Sequence, residues 1–216
     1  MKTFLVIKNM KAFLVIMGLV FLVNGCYRKL PQECILRIQT TEDCFSLYTK
    51  GKDLRYDTAY FGLSSFNTGC KYIVLDYDEK KCKYPDCRNT LYPIDYYDKI
   101  VFTTKYDYNQ TYKAGDTVND IIGNITYTYW YSKEFEEGKC NTIPPCDRPP
   151  LVTHHYNTFQ QMMNDQKDTA RVGGINFRLL EPPDSVRNFN INVHIRFKDG
   201  REFTISLPQD IIIRPN

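Results

Sequence analysis

The stretch FNINVHIRF, residues 189–197, followed by KDG (198–200) and REFTISL (201–207), decides the fold. Phe189, Ile191, Val193, Ile195 and Phe197 alternate with Asn190, Asn192, His194 and Arg196. Side chains alternate across a strand, so this period of two puts one apolar and one polar face on an extended segment. Asp199-Gly200 predicts a two-residue hairpin turn. Phe203, Ile205 and Leu207 then alternate on the return strand, and Ile211 and Ile213 mark a last strand segment.

Working outward, the same pattern recurs. Cys34-Ile-Leu-Arg-Ile-Gln, Tyr72-Ile-Val-Leu-Asp-Tyr and Lys99-Ile-Val-Phe-Thr-Thr-Lys-Tyr each read as a strand. Ile125–Phe135 reads as another, with Tyr127, Tyr129 and Tyr131 on one face and Thr126, Thr128 and Trp130 on the other. Residues 45–70 mix Tyr, Gly, Ser and Asn and give no clear pattern. Asp78–Tyr97 and residues 138–153, rich in Pro and Cys, read as loops. Asn157–Thr169 is the one helix candidate, with Asn157 as N-cap and Phe159, Met162 and Met163 as a short apolar stripe. Seventeen tyrosines and thirteen phenylalanines favour strands. The expectation is a mainly β chain: an antiparallel β sandwich, immunoglobulin-like, with one short helix.

The N-terminus has a different composition. Lys2, Lys8 and Lys11 precede an apolar run from Ala12 to Val23, broken only by Gly18 and closed by Val23-Asn24-Gly25-Cys26. A basic start, a short apolar stretch and small residues before a cleavage point predict an export signal. The run is short of the roughly 20 residues of a transmembrane helix. The closing residues resemble the lipobox of bacterial lipoproteins, which implies acylation of Cys26; the plain alternative is an ordinary signal peptide cut at the same bond. Met1 and Met10 both stand as start codons, since Met10-Lys11 already opens a compact signal. The chain then divides into a lipoprotein-type signal peptide over 1–25, a tether over 26–33 and a single β-rich domain over 34–216.

Removing residues 1–25 takes three lysines and no acid, which leaves Lys+Arg equal to the 25 Asp+Glu. The net charge of +3 therefore belongs to the signal, and nothing in the balance points to nucleic acid. Cysteines stand at 26, 34, 44, 70, 82, 87, 140 and 146. In an exported protein they read as disulfides of open pairing; Cys82 and Cys87, and Cys140 and Cys146, each flank a loop that a local bridge could close. Acylation of Cys26 would leave seven, an odd number. Zinc is the sharper alternative for those four, but their spacings are loose for it.

Ile100–Thr104 leads to Asp107-Tyr108-Asn109, Ala114-Gly115-Asp116 and Val118-Asn119-Asp120. This resembles the "strand, D-x-N, A-G-x-x-x-N-D" stretch of small lipoproteins from Bacteroidetes-type bacteria, and the Asn188–Arg214 hairpin is similar to theirs. The resemblance implies a lipid-anchored place in the cell envelope, at the outer membrane, and a β-rich fold. It implies no reaction. It also implies an Asp-Ser/Thr-apolar rule for O-glycosylation, matched at Thr58, Thr117, Thr169 and Ser185. Asn109 and Asn124 sit in N-glycosylation sequons, which matter only in a eukaryotic secretory route. Tyr27-Arg28-Lys29 is basic where surface-exported members carry acidic residues, so exposure at the surface or to the periplasm stays open.

No G-x-S-x-G, H-E-x-x-H or phosphate-binding glycine loop occurs. His154 and His155, adjacent on an extended segment, point apart, and His194 falls on a polar strand face. An EF-hand counted from Asp107 fails at Tyr112 and Val118, where Gly and Glu are needed; turn bonds from Asp107 and Asn109 are the simpler reading. The sequence thus predicts no catalytic residues, no metal and no cofactor. It predicts a non-enzymatic lipoprotein that binds or assembles, with the membrane, a glycan or another envelope protein as partner and no nucleic acid. Tyr127, Tyr129, Trp130 and Tyr131 are the residues for a glycan contact, which is the alternative role. A secreted hydrolase is the weaker one.

Overall fold

The structure, a computed structural model, describes residues 33–65, 70–76, 89–137, 142–143, 149–166 and 171–215. The stretch 1–25 expected to be a signal peptide, Cys26, Cys82, Cys87, Cys140, Cys146 and Thr169 lie outside the described residues. The strands are β1 (Glu33–Thr40), β2 (Ser46–Thr49), β3 (Asp53–Arg55), β4 (Phe61–Ser64), β5 (Tyr72–Asp76), β6 (Asn89–Pro93), β7 (Tyr97–Thr104) and β8 (Ile122–Trp130). They continue with β9 (Thr142–Ile143), β10 (Leu151–Thr158), β11 (Gly174–Leu179), β12 (Arg187–Phe189), β13 (Ile191–Phe197), β14 (Glu202–Ser206) and β15 (Ile211–Arg214). The helices are a single turn, α1 (Lys133–Glu136), and α2 (Phe159–Asp165).

The protein is a β sandwich. One layer is an antiparallel five-stranded sheet in the order β10-β8-β11-β4-β2. The facing layer is the antiparallel sheet β14-β13-β7, joined by β12-β15-β3. The pattern of residues 191–197 becomes the inner face of β13: Ile191, Val193, Ile195 and Phe197 are buried, and His194 and Arg196 face out. The first layer presents Phe61, Ile125, Ile175 and Phe177, the second Ile100, Phe102 and Val193. Phe102 and Phe177 meet across the interior at 4.9 Å, edge to face. α2 closes one end, its Phe159 set against Phe102 at 5.2 Å. Beside the sandwich, β5 and β6 flank β1, and β9 pairs with the start of β1.

Several expectations change in detail. The β13–β14 hairpin turns through three residues, Lys198–Gly200, because Phe197 accepts from the Gly200 N–H while its own N–H bonds Arg201. Gly200 takes φ +88°, the left-handed position such a turn needs. Asn89–Pro93, expected as loop, is a strand parallel to β1, with its proline as the last residue and the following Ile94 N–H still bonded to the Ile38 carbonyl. Leu151–Thr158, expected as loop and helix start, is extended: its Val, Thr, His and Tyr residues suit a pleated edge. The helix consequently starts later, and Thr158 is its N-cap in place of Asn157. The Thr158 hydroxyl accepts from Gln161 N–H at 3.2 Å, and the Gln161 side chain returns to the Asn157 and Thr158 N–H groups. β8 ends at Trp130 rather than Phe135, which lies in α1. The described part of 45–70, residues 45–65 and Cys70, contains β2, β3 and β4, and Glu33, assigned to the tether, is the first residue of β1.

Among the described residues two pairings are parallel, β1–β6 and β15–β3, and both join residues far apart in the chain. A disulfide links Cys44 to Cys70, with Cα atoms 4.8 Å apart, and closes a 26-residue separation that spans β2, β3 and β4. Closing a loop of that length removes denatured-state entropy worth about 3.5 kcal/mol. The Cys44→Ala/Cys70→Ala protein is expected to unfold at clearly lower urea than wild type under oxidising conditions. Coincident unfolding curves would show that the bridge adds nothing to stability.

Candidate binding face

The outward side of the five-stranded sheet is assembled by register. Leu151, Thr153 and His155 of β10 lie opposite Trp130, Thr128 and Thr126 of β8. Thr128 and Thr126 lie opposite Gly174 and Asn176 of β11, Asn176 opposite Gly62 of β4, and Gly62 opposite Tyr48 of β2. Residues directly opposite in an antiparallel pair share a face, so these side chains project together. A polar row crosses all five strands. The His155 Nδ1 is 3.2 Å from the Thr126 hydroxyl, and the Tyr48 hydroxyl donates to Asn176 Oδ1 at 3.0 Å. Gly62 leaves room for the Tyr48 ring, which lies across it: a Cβ would stand 2.2 Å from Cζ and push the ring aside.

Trp130 stands at one end of this face, 48% exposed, beside Leu151 at 54%. It walls a cleft of about 180 Å³ whose other lining includes Thr128, Gly174, Ser64 and Pro93. That is below the roughly 300–1,000 Å³ of small-molecule pockets. The outward positions of the five strands carry one formal charge, Arg178 at the end of β11, in a chain that is 25% charged. The outward face of β14-β13-β7 differs: Lys99, Arg196 and Glu202 stand on it, Arg196 bonded to Asp98. There the His194 ring sits between the Thr103 and Thr204 hydroxyls, 3.1 and 3.0 Å away.

The four aromatic residues singled out from sequence do not stand together. Tyr127 is 1% exposed and its hydroxyl donates to the Arg171 carbonyl, so it is a core residue and no contact surface. Burial pushes its phenol pKa well above the ordinary value. Tyr129 is half-buried on the same inward side, stacked on His154 at 5.8 Å, with its hydroxyl 3.3 Å from Nε2. Tyr131 lies past the end of β8 under the Arg171 guanidinium, 4.5 Å from its ring centre. Of the four, Trp130 points onto the open face, and Tyr129 contributes to the lining of the cleft beside it. His154 faces inward and His155 outward, so the pair does not converge. Sequence reasoning missed that Tyr48, Thr153, His155 and Asn176 share the outward face with Trp130; they come from three other strands, and no local motif joins them.

The Asp107–Asp120 loop is built on turn bonds. Asn109 Oδ1 accepts from the N–H groups of Thr111 and Tyr112, Asp107 from that of Ala114, and Asp116 from that of Lys113. Gly115 supplies the left-handed φ of +90°. The Ala114 N–H and the nearby Lys113 hold the Asp107 carboxyl below the usual range despite some desolvation. Among the described residues no group of three or more His, Cys, Asp or Glu is placed to hold a metal. Thr58, Thr117 and Ser185 are exposed.

No family model and no curated protein matches the chain. A solved structure of the major pilin subunit of Bacillus cereus aligns over 86% of this chain and 69% of its own, at 9% identity and a TM-score of 0.18; so loose a superposition carries no argument about fold or role.

Proposed function

We propose that this chain is an exported cell-envelope protein, anchored at the outer membrane through acylated Cys26, that works by binding rather than catalysis. The observation that carries the binding part is the outward face of the five-stranded sheet, which is exposed, almost uncharged and set with Trp130 and Tyr48. A face selected only for solubility would carry the charges seen on the opposite layer. The anchor rests on Val23-Asn24-Gly25-Cys26. Stable anchoring takes more than one acyl chain.

The intact mass of membrane-extracted protein, wild type beside Cys26→Ala, tests the anchor. The expected result is residues 26–216 plus acyl chains, with the variant released from the membrane. An unacylated wild-type mass overturns the anchor and makes this a secreted protein.

A further inference from the structure

We infer that the ligand of this face is a neutral glycan, one sugar ring seated in the cleft beside Trp130 and the chain running across the strands toward Tyr48. The inference rests on the reading of this face as the binding surface, and it adds the chemical class. A pyranose ring is amphipathic, with C–H groups on its faces and hydroxyls around its rim. The cleft matches that division. Trp130, Leu151 and Pro93 give apolar walls, Thr128 and Ser64 give hydroxyls, and Gly174 keeps the floor low. Trp and Tyr are suited to such a role because each joins a large apolar body to a polar edge.

Charge selects among ligands. A phosphate, an acidic sugar or an anionic lipid headgroup needs cations, and the cleft lining has none. Arg178, the one formal charge on the face, is at the far end of β11, and its Nη1 donates to the Asp57 carbonyl at 3.4 Å. An apolar peptide needs a dry groove, whereas this face is lined by Thr126, Thr128, Thr153, Asn176, His155 and the Tyr48 hydroxyl.

Size points the same way. The cleft of about 180 Å³ suits one ring, not a whole ligand. The polar row from His155 to Tyr48 crosses four inter-strand spacings, about 19 Å at ~4.8 Å each. A chain of several sugars, each making weak contacts, fits a site of that extent. The Tyr48 ring lies across Gly62, held by Asn176, and offers the second aromatic surface.

Trp130 is the chain's single tryptophan, so its emission reports on this face alone. The full chain in detergent would be titrated with neutral oligosaccharides and with their acidic counterparts. The expected result is a saturable emission change with a neutral series. Tyr48→Ala and Asn176→Ala, which leave the reporter in place, should bind at least about tenfold more weakly at an unchanged melting temperature, as truncation of an interface aromatic typically does. Equal affinity in both variants, or a response to acidic glycans alone, overturns the inference. A response to a purified envelope protein but to no glycan overturns the glycan and keeps the binding face. Silence toward both overturns the two readings together.

Discussion

Replacing Asp95 by alanine is expected to cost about 3–5 kcal/mol of folding stability, the usual effect of breaking a buried ion pair from one side. The Asp95 side chain is 3% exposed. One oxygen accepts from both the N–H and the hydroxyl of Thr40, each at 2.6 Å, and the other accepts from Arg201 Nη2. Arg201 also donates to the Thr40 carbonyl and to Asp199, and its guanidinium lies over Phe197 at 5.0 Å. This corner therefore ties the end of β1 to the β13–β14 turn, across more than 160 residues of chain. Alanine at 95 would leave a buried N–H, a buried hydroxyl and a guanidinium short of their acceptor. Folded proteins hold only about 5–15 kcal/mol in total, so the loss is a large share. Urea unfolding measures it. A change below about 1 kcal/mol would mean that water replaces the carboxylate freely. Asp95→Leu with Arg201→Met should recover much of the loss, because two apolar side chains leave no lone charge.

The Phe177→Ala protein is expected to lose a similar amount, about 3–5 kcal/mol, through a different mechanism. Phe177 is fully buried and packs between the layers, 5.4 Å from Phe61 and 4.9 Å from Phe102. Neither neighbour can collapse into the space, since each is held by its own sheet and by a further ring, Phe189 or Phe159. The cost is the lost burial plus the cavity left behind. Phe177→Leu should recover part of it. A loss near 1 kcal/mol from the alanine variant would mean that the two layers close over the gap.

The fold was legible where a strand has one wet side. β13 and β14 could be read from alternation alone, because a period of two leaves no other way to bury Ile191, Val193 and Ile195 together. β6 could not, because its pairing is parallel and its partner residues in β1, from Cys34 opposite Asn89 to Ile38 opposite Pro93, lie far earlier in the chain. β10 could not, because its alternation is of half-buried against exposed polar residues, a pattern with little hydropathy contrast. Thr158 displaced Asn157 as N-cap for the same reason: the sheet held residue 157 extended.

The candidate face divides in the same way. By itself the sequence determined the β class, the parity that sets Trp130 against Tyr127 and Tyr129, the turn-forming loop at Asp107–Gly115 and the divergence of His154 from His155. All of these follow from side-chain alternation or from bonds spanning a few residues. Only the tertiary structure decided which side of β8 meets water. It buried Tyr127, paired Cys44 with Cys70, enclosed Asp95 and brought Tyr48 and Asn176 into one row with His155. These depend on which strands become neighbours, and that is set by the packing of two layers around one core rather than by any local spacing.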